Sequence, residues 1–455
     1  MGVEFIFLTS DLLLYLLVGL IIGVIIYATR SIQLSDNFRK VFSQPVGMIS
    51  GFVLAIYLSV GLLDSVHYQV NAADQDSSMV YSLLDWAVKP LLQPQEKTYS
   101  APFANKLYGK FYFTTPSGKQ VYDYPLLHKL QRPDSLLIAG SDTLWLGTGL
   151  FLIFSTMTLL LIPHRGSRME LLQKIRSGQA VLAWRSFFFC LFIFSFLFAG
   201  MICFGQHYHL LGTTKVGVDV LYECLKSIRT GLLIGSLATL IIMPFAIILG
   251  TMAGYFGGWV DDVIQYVYTT LSSIPAVLLI AAAILAMQVY IDNHSSSFPT
   301  LAGRSDARLL ALCVILGVTS WTNLCRVLRA ETMKLREMDY LLACKVVGGS
   351  WVRSIFHHVV PNIMHIVIIT AVLDFSGLVL AEAVLTYVGI GVDPTTSSWG
   401  NMIDSARMEL AREPVVWWPL LGAFIFMFGL VLAANLFADA VREGFDPRMG
   451  NSADH

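Results

Sequence analysis

Long apolar stretches alternate with shorter polar ones along most of the chain. An α-helix needs about 20 mostly apolar residues to cross the hydrocarbon core of a bilayer, and about nine stretches come near this length. They lie at residues 12–27, 46–66, 144–162, 182–204, 230–254, 271–291, 309–325, 363–385 and 417–440. The pattern therefore predicts an all-α polytopic membrane protein.

Basic residues gather at particular boundaries of these predicted spans. Clusters of Lys and Arg follow the first, third, seventh and ninth spans, and basic loops resist translocation. This placement predicts a cytoplasmic C-terminus and an N-terminus on the opposite side. The short segment 256–265 fits less well, because it should be cytoplasmic but carries Asp261 and Asp262 with no Lys or Arg.

The segment between the second and third spans, residues 67–143, is polar and long. Two pieces of alternating character, KFYFTT and KQVYDY, flank the turn residues Pro116, Ser117 and Gly118. Alternating pieces with Pro and Gly between them are typical of a β-hairpin. We therefore predict a small extracytoplasmic insert of β or α/β structure.

The composition agrees with a membrane protein and excludes other classes. Of the 455 residues, 55% are hydrophobic and 13% are charged, and the mean hydropathy is +0.65. The formal net charge of -1 gives no basic field that would attract nucleic acid. The six cysteines include no Cys-x-x-Cys pair, so neither a zinc site nor a disulfide framework is predicted. Cys203 and Cys224 could form one disulfide, but two free thiols are the favoured interpretation.

Motifs of catalysis and nucleotide binding are missing from the sequence. There is no Gly-x4-Gly-Lys-Ser/Thr loop, no His-Glu-x-x-His pair and no Gly-x-Ser-x-Gly elbow. We therefore expect no enzymatic activity and no cofactor in this chain. His207 with His209, and His357 with His358, suggest a metal site. No carboxylate or cysteine stands at ligand spacing from them, so interfacial or surface histidines are favoured.

Two features inside the predicted spans need a structural reason. Asp374 and Glu382 place carboxylates in the eighth span, where ionisable groups are costly. They could line a substrate path or form buried hydrogen bonds, and packing or gating is favoured over direct substrate contact. Glycines recur at four-residue spacing, which lets helices approach closely within one chain: Gly19 and Gly23, Gly231 and Gly235, and Gly250, Gly254 and Gly258.

The segment 325–362 has the most specific pattern in the chain. It reads CRVLRAETMKLREMDYLLACKVVGGSWVRSIFHHVVPN, a basic amphipathic helix followed by a Gly-Gly-Ser break, a short helix and a Pro. It resembles the EAA loop of permease subunits in binding-protein-dependent ABC importers. Leu342, Ala343 and Cys344 stand in place of the Glu-Ala-Ala triplet, Gly348 is the turn glycine, and Pro361 belongs to the ending.

Further motifs are similar to one branch of that family, the second (C-type) permease of dipeptide, oligopeptide and nickel importers. The resemblance extends over residues 182–449, and Thr214 and Val218 replace an Asp and an Arg of the branch. The motifs are HLLGTTKVGVD at 209–219, AGYFGGWVD at 253–261, SIP at 273–275, LAEA at 380–383, GIG at 389–391, SWGNM at 398–402, and Asn435 through Arg442 to DPR at 446–448.

The resemblance implies a type I ABC importer permease core of about six transmembrane helices at residues 182–449. Its coupling loop lies at 326–362. In front of it stand two extra spans at 1–66, the insert at 67–143, and a third extra span with a cytoplasmic linker at 144–181. Residues 450–455 form a tail. Structural support is the default role for the added N-terminal region.

The function implied is a permease subunit of an ATP-driven importer, with peptides as the favoured solute, in a bacterial inner membrane with a periplasmic N-terminus. The implied partners are a second permease, two cytoplasmic ATPase subunits that bind the ATP, an extracytoplasmic solute-binding protein and the lipid bilayer.

The resemblance also implies a role for the coupling loop. The pair Gly348 and Gly349 allows a sharp turn, Ser350 can cap the helix that follows, and aromatic side chains can bind in a groove of the ATPase. The implied coupling residues are Arg336, Ala343, Lys345, Gly348, Gly349, Ser350, Trp351, Arg353, Phe356 and Pro361.

The candidates for the translocation path and its gate are Asp374, Glu382, Trp399 and Asn401. An ion-gradient-driven secondary transporter is an alternative, but it would show paired, similar halves with interrupted helices. An importer of nickel or another small solute is a second alternative. A nickel importer would be expected to show a His or Met cluster along a span, and the sequence has none. A membrane enzyme would need a nucleophile and a base at membrane depth, and none stands out.

Overall fold

The computed structural model of the chain describes residues 3–6, 8–30, 32–70, 80–92, 95–114, 120–129, 135–162, 168–178, 180–294 and 301–445. In these residues the fold is mainly α-helical, with two small antiparallel sheets. The helices are Thr9–Arg30 (α1), Ile32–Ser43 (α2), Pro45–Ser65 (α3), Leu83–Ala87 (α4), Lys89–Leu92 (α5), Ser135–Leu161 (α6), Arg168–Ser177 (α7), Trp184–Gly205 (α8), Val220–Phe256 (α9), Gly258–Ser273 (α10), Ala276–Asn293 (α11), Leu301–Ser320 (α12), Thr322–Arg336 (α13), Asp339–Val346 (α14), Trp351–Ser354 (α15), Val360–Tyr387 (α16), Trp399–Glu409 (α17) and Trp418–Phe445 (α18). A π-turn, Ile355–Val359, joins α15 to α16. The strands are Val3–Ile6 (β1), His67–Val70 (β2), Val80–Ser82 (β3), Phe111–Thr114 (β4) and Gln120–Asp123 (β5).

Eight helical segments of the described chain are long and apolar enough to cross a membrane. They account for eight of the nine predicted spans, and the first predicted span corresponds to α1, Thr9–Arg30. The predicted start of the span at 271–291 is wrong. α10 ends at Ser273 and α11 begins at Ala276, because Pro275 lacks the N–H that a continuous helix would use.

The predicted hairpin of the insert is confirmed. β4 pairs antiparallel with β5, with Phe111 opposite Asp123 and Thr114 opposite Gln120, while the turn residues 116–118 lie outside the described residues. The insert also contains a three-stranded sheet in the order β1, β2, β3. Residues 3–6 therefore belong to the insert, which the boundary at residue 67 did not include.

The chain forms two compact units. The first comprises residues 1–7, 39–230 and 397–433. In it α8 packs against α3 and α6, with Phe52 edge-on to Phe187 at 5.1 Å between ring centroids. Tyr57 donates a hydrogen bond from its hydroxyl to the Phe426 carbonyl at 2.8 Å. Aromatic packing and this buried hydrogen bond hold α3 inside the unit.

The second unit comprises residues 8–38, 231–396 and 434–455. Asp306 of α12 accepts hydrogen bonds from the Thr9 hydroxyl and from Ser10 N, and so caps α1. A Cβ at Gly254 would lie 2.6 Å from the Thr332 side chain, and Gly235 and Gly250 have similarly close neighbours. The predicted close packing by glycines is confirmed there, and Gly19, Gly23 and Gly258 show no such neighbour.

The six cysteines are free thiols. Cys203 and Cys224 are both buried and do not pair, as the favoured interpretation had it.

Candidate functional site

The coupling segment, which we define as residues 326–362, contains two short helices, α14 and α15, joined by a glycine turn and placed between α13 and the π-turn. α14 ends at Val346, and Gly348 has a φ of +81°, a conformation that glycine adopts without strain. Ser350 then caps α15 by accepting a hydrogen bond from Arg353 N at 3.4 Å, as predicted. The predicted break before a second short helix lies at this turn, because the left-handed residue ends the first helix before the second begins.

Much of this segment presents apolar side chains to its surroundings. Val346 and Val347 are each 87% exposed, Phe356 is 56% exposed and Trp351 is 50% exposed. Clusters of exposed large apolar residues of this kind mark interaction sites. The segment therefore has the character of a docking surface for another protein.

The remaining predicted coupling residues have different surroundings. Arg336 forms an ion pair with Glu337 at 3.2 Å, and Ala343 and Arg353 are exposed. Pro361 lies in the first turn of α16, directly after the π-turn. The side chain of Lys345 lies outside the described residues.

Contacts with α9 and α10 support the coupling segment. Arg329 donates two hydrogen bonds to the carboxylate of Asp261, one of them at 2.6 Å. The ring of Phe256 packs against that of Trp351, with centroids 5.4 Å apart. A basic residue of α13 thus compensates the charge of Asp261 in a segment that has no basic residue of its own. The AGYFGGWVD motif signalled these residues, but the sequence did not show their partners.

The two carboxylates of α16 have different surroundings. Glu382 is buried at 1% exposure, and its Oε1 accepts a hydrogen bond from the Thr386 hydroxyl at 2.8 Å. Asp374 is half-buried and forms no hydrogen bond or ion pair within the described residues. Glu382 therefore resembles a packing residue, while Asp374 keeps the features of a path residue.

Trp399 and Asn401 lie in the first turn of α17. Trp399 is 1% exposed, and its Nε1 donates to the Cys224 carbonyl at 3.2 Å. Asn401 N donates to the hydroxyl of Ser398 at 3.0 Å, which caps the helix. The path role of these two residues stays a prediction, and the burial of Trp399 does not favour it.

The insert docks on the loop 209–219 through paired backbone contacts. Thr213 N donates to the Ser100 carbonyl at 3.1 Å, and Glu96 N donates to the Gly217 carbonyl at 3.1 Å. Gly217 has a φ of +77°, and a Cβ there would lie 1.7 Å from the carbonyl oxygen of Glu96. The absence of a side chain is therefore what lets the insert backbone reach the loop.

Four buried ionisable residues lie at this junction, and we call them the insert cluster: Glu96, Lys129, His209 and Asp219. His209 Nδ1 lies 2.8 Å from Asp219 Oδ2, and Lys129 Nζ lies 3.6 Å from the same oxygen. Glu96 Oε1 lies 3.8 Å from His209 Nε2. All four side chains are at most 2% exposed. The histidines are predicted to be interfacial or surface residues, and for His209 this is wrong, because the insert covers it.

The charges of the insert cluster depend on one another. Burial disfavours a charged imidazole, but the neighbouring carboxylates of Asp219 and Glu96 outweigh it and raise the pKa of His209. Burial lowers the pKa of the Lys129 ammonium, and Asp219 and Glu96 offset this only in part. With His209 and Lys129 both protonated, two cations balance two carboxylates.

A second contact holds the insert at the C-terminal end of α3. Lys226 Nζ lies 3.3 Å from Asp64 and 3.1 Å from Asp85, and the Tyr222 hydroxyl donates to Asp85 at 2.8 Å. Burial alone would raise the pKa of Asp85, but Lys226 and these hydrogen bonds lower it. The insert is thus joined to the rest of its unit through two groups of charged residues.

Comparisons with known proteins match this architecture. Residues 246–451 match the model of the binding-protein-dependent transport system inner membrane component. The oligopeptide transport system permease protein OppC of Mycobacterium tuberculosis H37Rv is 33% identical over 239 residues, which are 52% of this chain and 76% of that protein. The chain belongs to this family. It is a multi-pass inner-membrane permease of an ABC importer.

Other relatives of the permease have similar coverage. The dipeptide transport system permease protein DppC of Alkalihalophilus pseudofirmus is 30% identical over 241 residues, 53% of this chain and 72% of that protein. A putative peptide permease of Brucella suis biovar 1 is 28% identical over 243 residues, 53% of this chain and 73% of that protein. The family match includes the coupling segment and α16. The four residues of the insert cluster all lie before residue 246, outside the matched region.

Proposed function

We propose that this permease is one subunit of an ATP-driven peptide importer. It forms the translocation path together with a second permease, and two cytoplasmic ATPase subunits bind and hydrolyse the ATP. An extracytoplasmic binding protein delivers the solute. The similarity to relatives named as oligopeptide, dipeptide and peptide permeases supports the solute class. The coupling segment and the C-terminus face the cytoplasm, and the insert faces the opposite side.

The observation that carries this proposal is the exposed apolar surface of the coupling segment on a rigid support. A groove on an ATPase subunit would bury Val346, Val347 and Phe356, which are the kind of side chains that anchor protein interfaces. Helix-in-groove docking of this type needs a short helix whose direction is fixed. The glycine turn and the Ser350 cap fix that direction.

Motion of a docked ATPase reaches the membrane through contiguous elements of the second unit. α15 continues through the π-turn into α16, so the coupling segment and the helix that carries Asp374 are one length of chain. The ion pair between Asp261 and Arg329 fixes α10 to α13, and α13 packs against α16. A displacement of the coupling segment therefore moves α16 rather than bending a loose loop.

The test is to purify the tagged permease from its own membrane and to measure ATP-driven peptide uptake and ATPase association. We expect Phe356→Asp to reduce association at least tenfold, because it places a charge in an apolar contact. The matched control is Trp86→Asp, an exposed aromatic residue of the insert at 73% exposure, which should leave association unchanged. Normal association and uptake with Phe356→Asp would contradict the docking assignment, and absence of ATPase subunits from the wild-type preparation would contradict the importer.

A further inference from the structure

Asp374 lies near the middle of a membrane-spanning helix. It stands 14 residues after Val360 and 13 before Tyr387, the ends of α16, which places it about 21 Å from the first residue of the helix at 1.5 Å per residue. An ionised carboxylate at that depth is costly in hydrocarbon and marks a substrate or ion pathway by default. The side chain must therefore face water or another polar group.

The described part of the chain does not supply that polar group. Asp374 makes no hydrogen bond or ion pair there, although it is only half-buried. The other acidic residues considered above are satisfied within the chain, Glu382 by the Thr386 hydroxyl and Asp261 by Arg329. Asp374 is thus the carboxylate of α16 whose partner lies outside the described structure.

The surface beside Asp374 has room for such a partner. Gly377, one turn further along α16, is exposed, and a Cβ built on it would meet no atom within 4 Å. Leu373, Leu380 and Val384 on the neighbouring positions are 45%, 41% and 52% exposed. The carboxylate therefore borders an open, otherwise apolar strip of the helix, on which a short peptide with a charged end could lie.

The geometry points to Asp374 as the residue that receives the positively charged amino terminus of a transported peptide in the path. This inference rests on the proposed function, since it needs a peptide as the solute. A peptide with a free amino terminus carries an α-ammonium group whatever its sequence, because that group is protonated near neutral pH. One carboxylate on an apolar strip therefore recognises peptides in general without selecting their side chains.

The experiment measures uptake of a pooled tripeptide library, half of it N-acetylated, by membranes containing the whole importer. We expect Asp374→Asn to lower uptake of the free-amine peptides at least tenfold and Asp374→Glu to restore most of it, because Glu keeps the charge. The matched control is Glu382→Gln, which changes the other carboxylate of α16. It should lower the thermal stability of the complex without changing the ratio of free-amine to acetylated uptake.

The outcomes separate this inference from the proposed function. Uptake by Asp374→Asn within twofold of wild type, or an equal loss for both halves of the library, would overturn the inference and leave the importer intact. Loss of the second permease from the Asp374→Asn complex would also overturn it, because the carboxylate would then pair with that subunit. A wild-type importer that moves no peptide would overturn the proposed function instead.

Discussion

Replacing Lys129 by Met removes one of two cations from the insert cluster. Glu96 and Asp219 then keep their two negative charges at a site where all side chains are at most 2% exposed, and only His209 remains to balance them. Breaking a buried ion pair by removing one partner costs about 3–5 kcal/mol. The Lys129 to Asp219 distance of 3.6 Å is longer than a good hydrogen bond, so we expect the lower end, about 3 kcal/mol.

Hydrogen exchange measures this cost at the junction itself. Phe103 N donates to the His209 carbonyl at 3.0 Å and Thr213 N donates to the Ser100 carbonyl at 3.1 Å, so both amides are protected only while the insert is docked. A loss of about 3 kcal/mol corresponds to exchange about 150 times faster, at 1.36 kcal/mol for each factor of ten. Deuterium uptake of peptides covering these amides, measured by mass spectrometry on the purified permease, gives the ratio.

The matched control is Lys97→Met, because Lys97 is an exposed lysine of the same insert. An exposed substitution of this kind changes stability by at most about 0.5 kcal/mol. If Lys129→Met and Lys97→Met give the same exchange rates, the insert cluster does not hold the insert in place. If Lys129→Met accelerates exchange throughout the chain equally, its effect is on the whole fold and the local argument fails.

Three other predictions concern separate parts of the chain. The pKa of His209 is raised in the folded protein, so its contribution to stability is complete below its unfolded pKa of about 6.5 and is lost as the pH rises through the folded value. Protection of the docked amides should therefore fall with rising pH in the wild type, and an equal slope in His209→Asn would refute this. Gly254→Val should cost about 1–3 kcal/mol of stability by overpacking against α13, measured as a lower melting temperature in detergent. Gly149→Val meets open space and should cost little, and equal melting-temperature shifts for the two variants would exclude the close helix approach as the cause. Ser398→Ala should cost about 1 kcal/mol by removing the cap of α17, with Ser405→Ala as the exposed comparison, and thermal unfolding that ranks the two variants in the opposite order would contradict the capping assignment.

The parts of the fold that the sequence predicts are those with a local signal. Apolar length marks the spans, alternation marks the hairpin of β4 and β5, and the Gly-Gly-Ser break marks the turn before Ser350. The family motifs extend this to the order of the helices. Each of these features depends on neighbours within about 20 residues, so a pattern in the sequence is enough to find it.

The parts that the sequence does not predict depend on distant residues. Glu96 and His209 are 113 positions apart, and single charged residues in a polar insert carry no sign that they will be buried. The sequence shows Asp261 as an acidic residue in a segment expected to be basic, but it does not single out Arg329 among the many basic residues downstream. The strand β1 has no signal of its own, because three apolar residues and one Glu directly before a span look like the start of that span.

The sheet that includes β1 also sets an order of events during synthesis. Val3 pairs with Val70, so β1 leaves the ribosome 67 residues before its partner. At about 5–20 residues per second, this is an interval of about 3–13 seconds. During that time α1 to α3 must be placed in the membrane with both ends of the future sheet on one side. β1 can thus pair with β2 only after α1 to α3 have been inserted correctly, because a wrongly inserted helix would leave the two strands on opposite sides of the membrane.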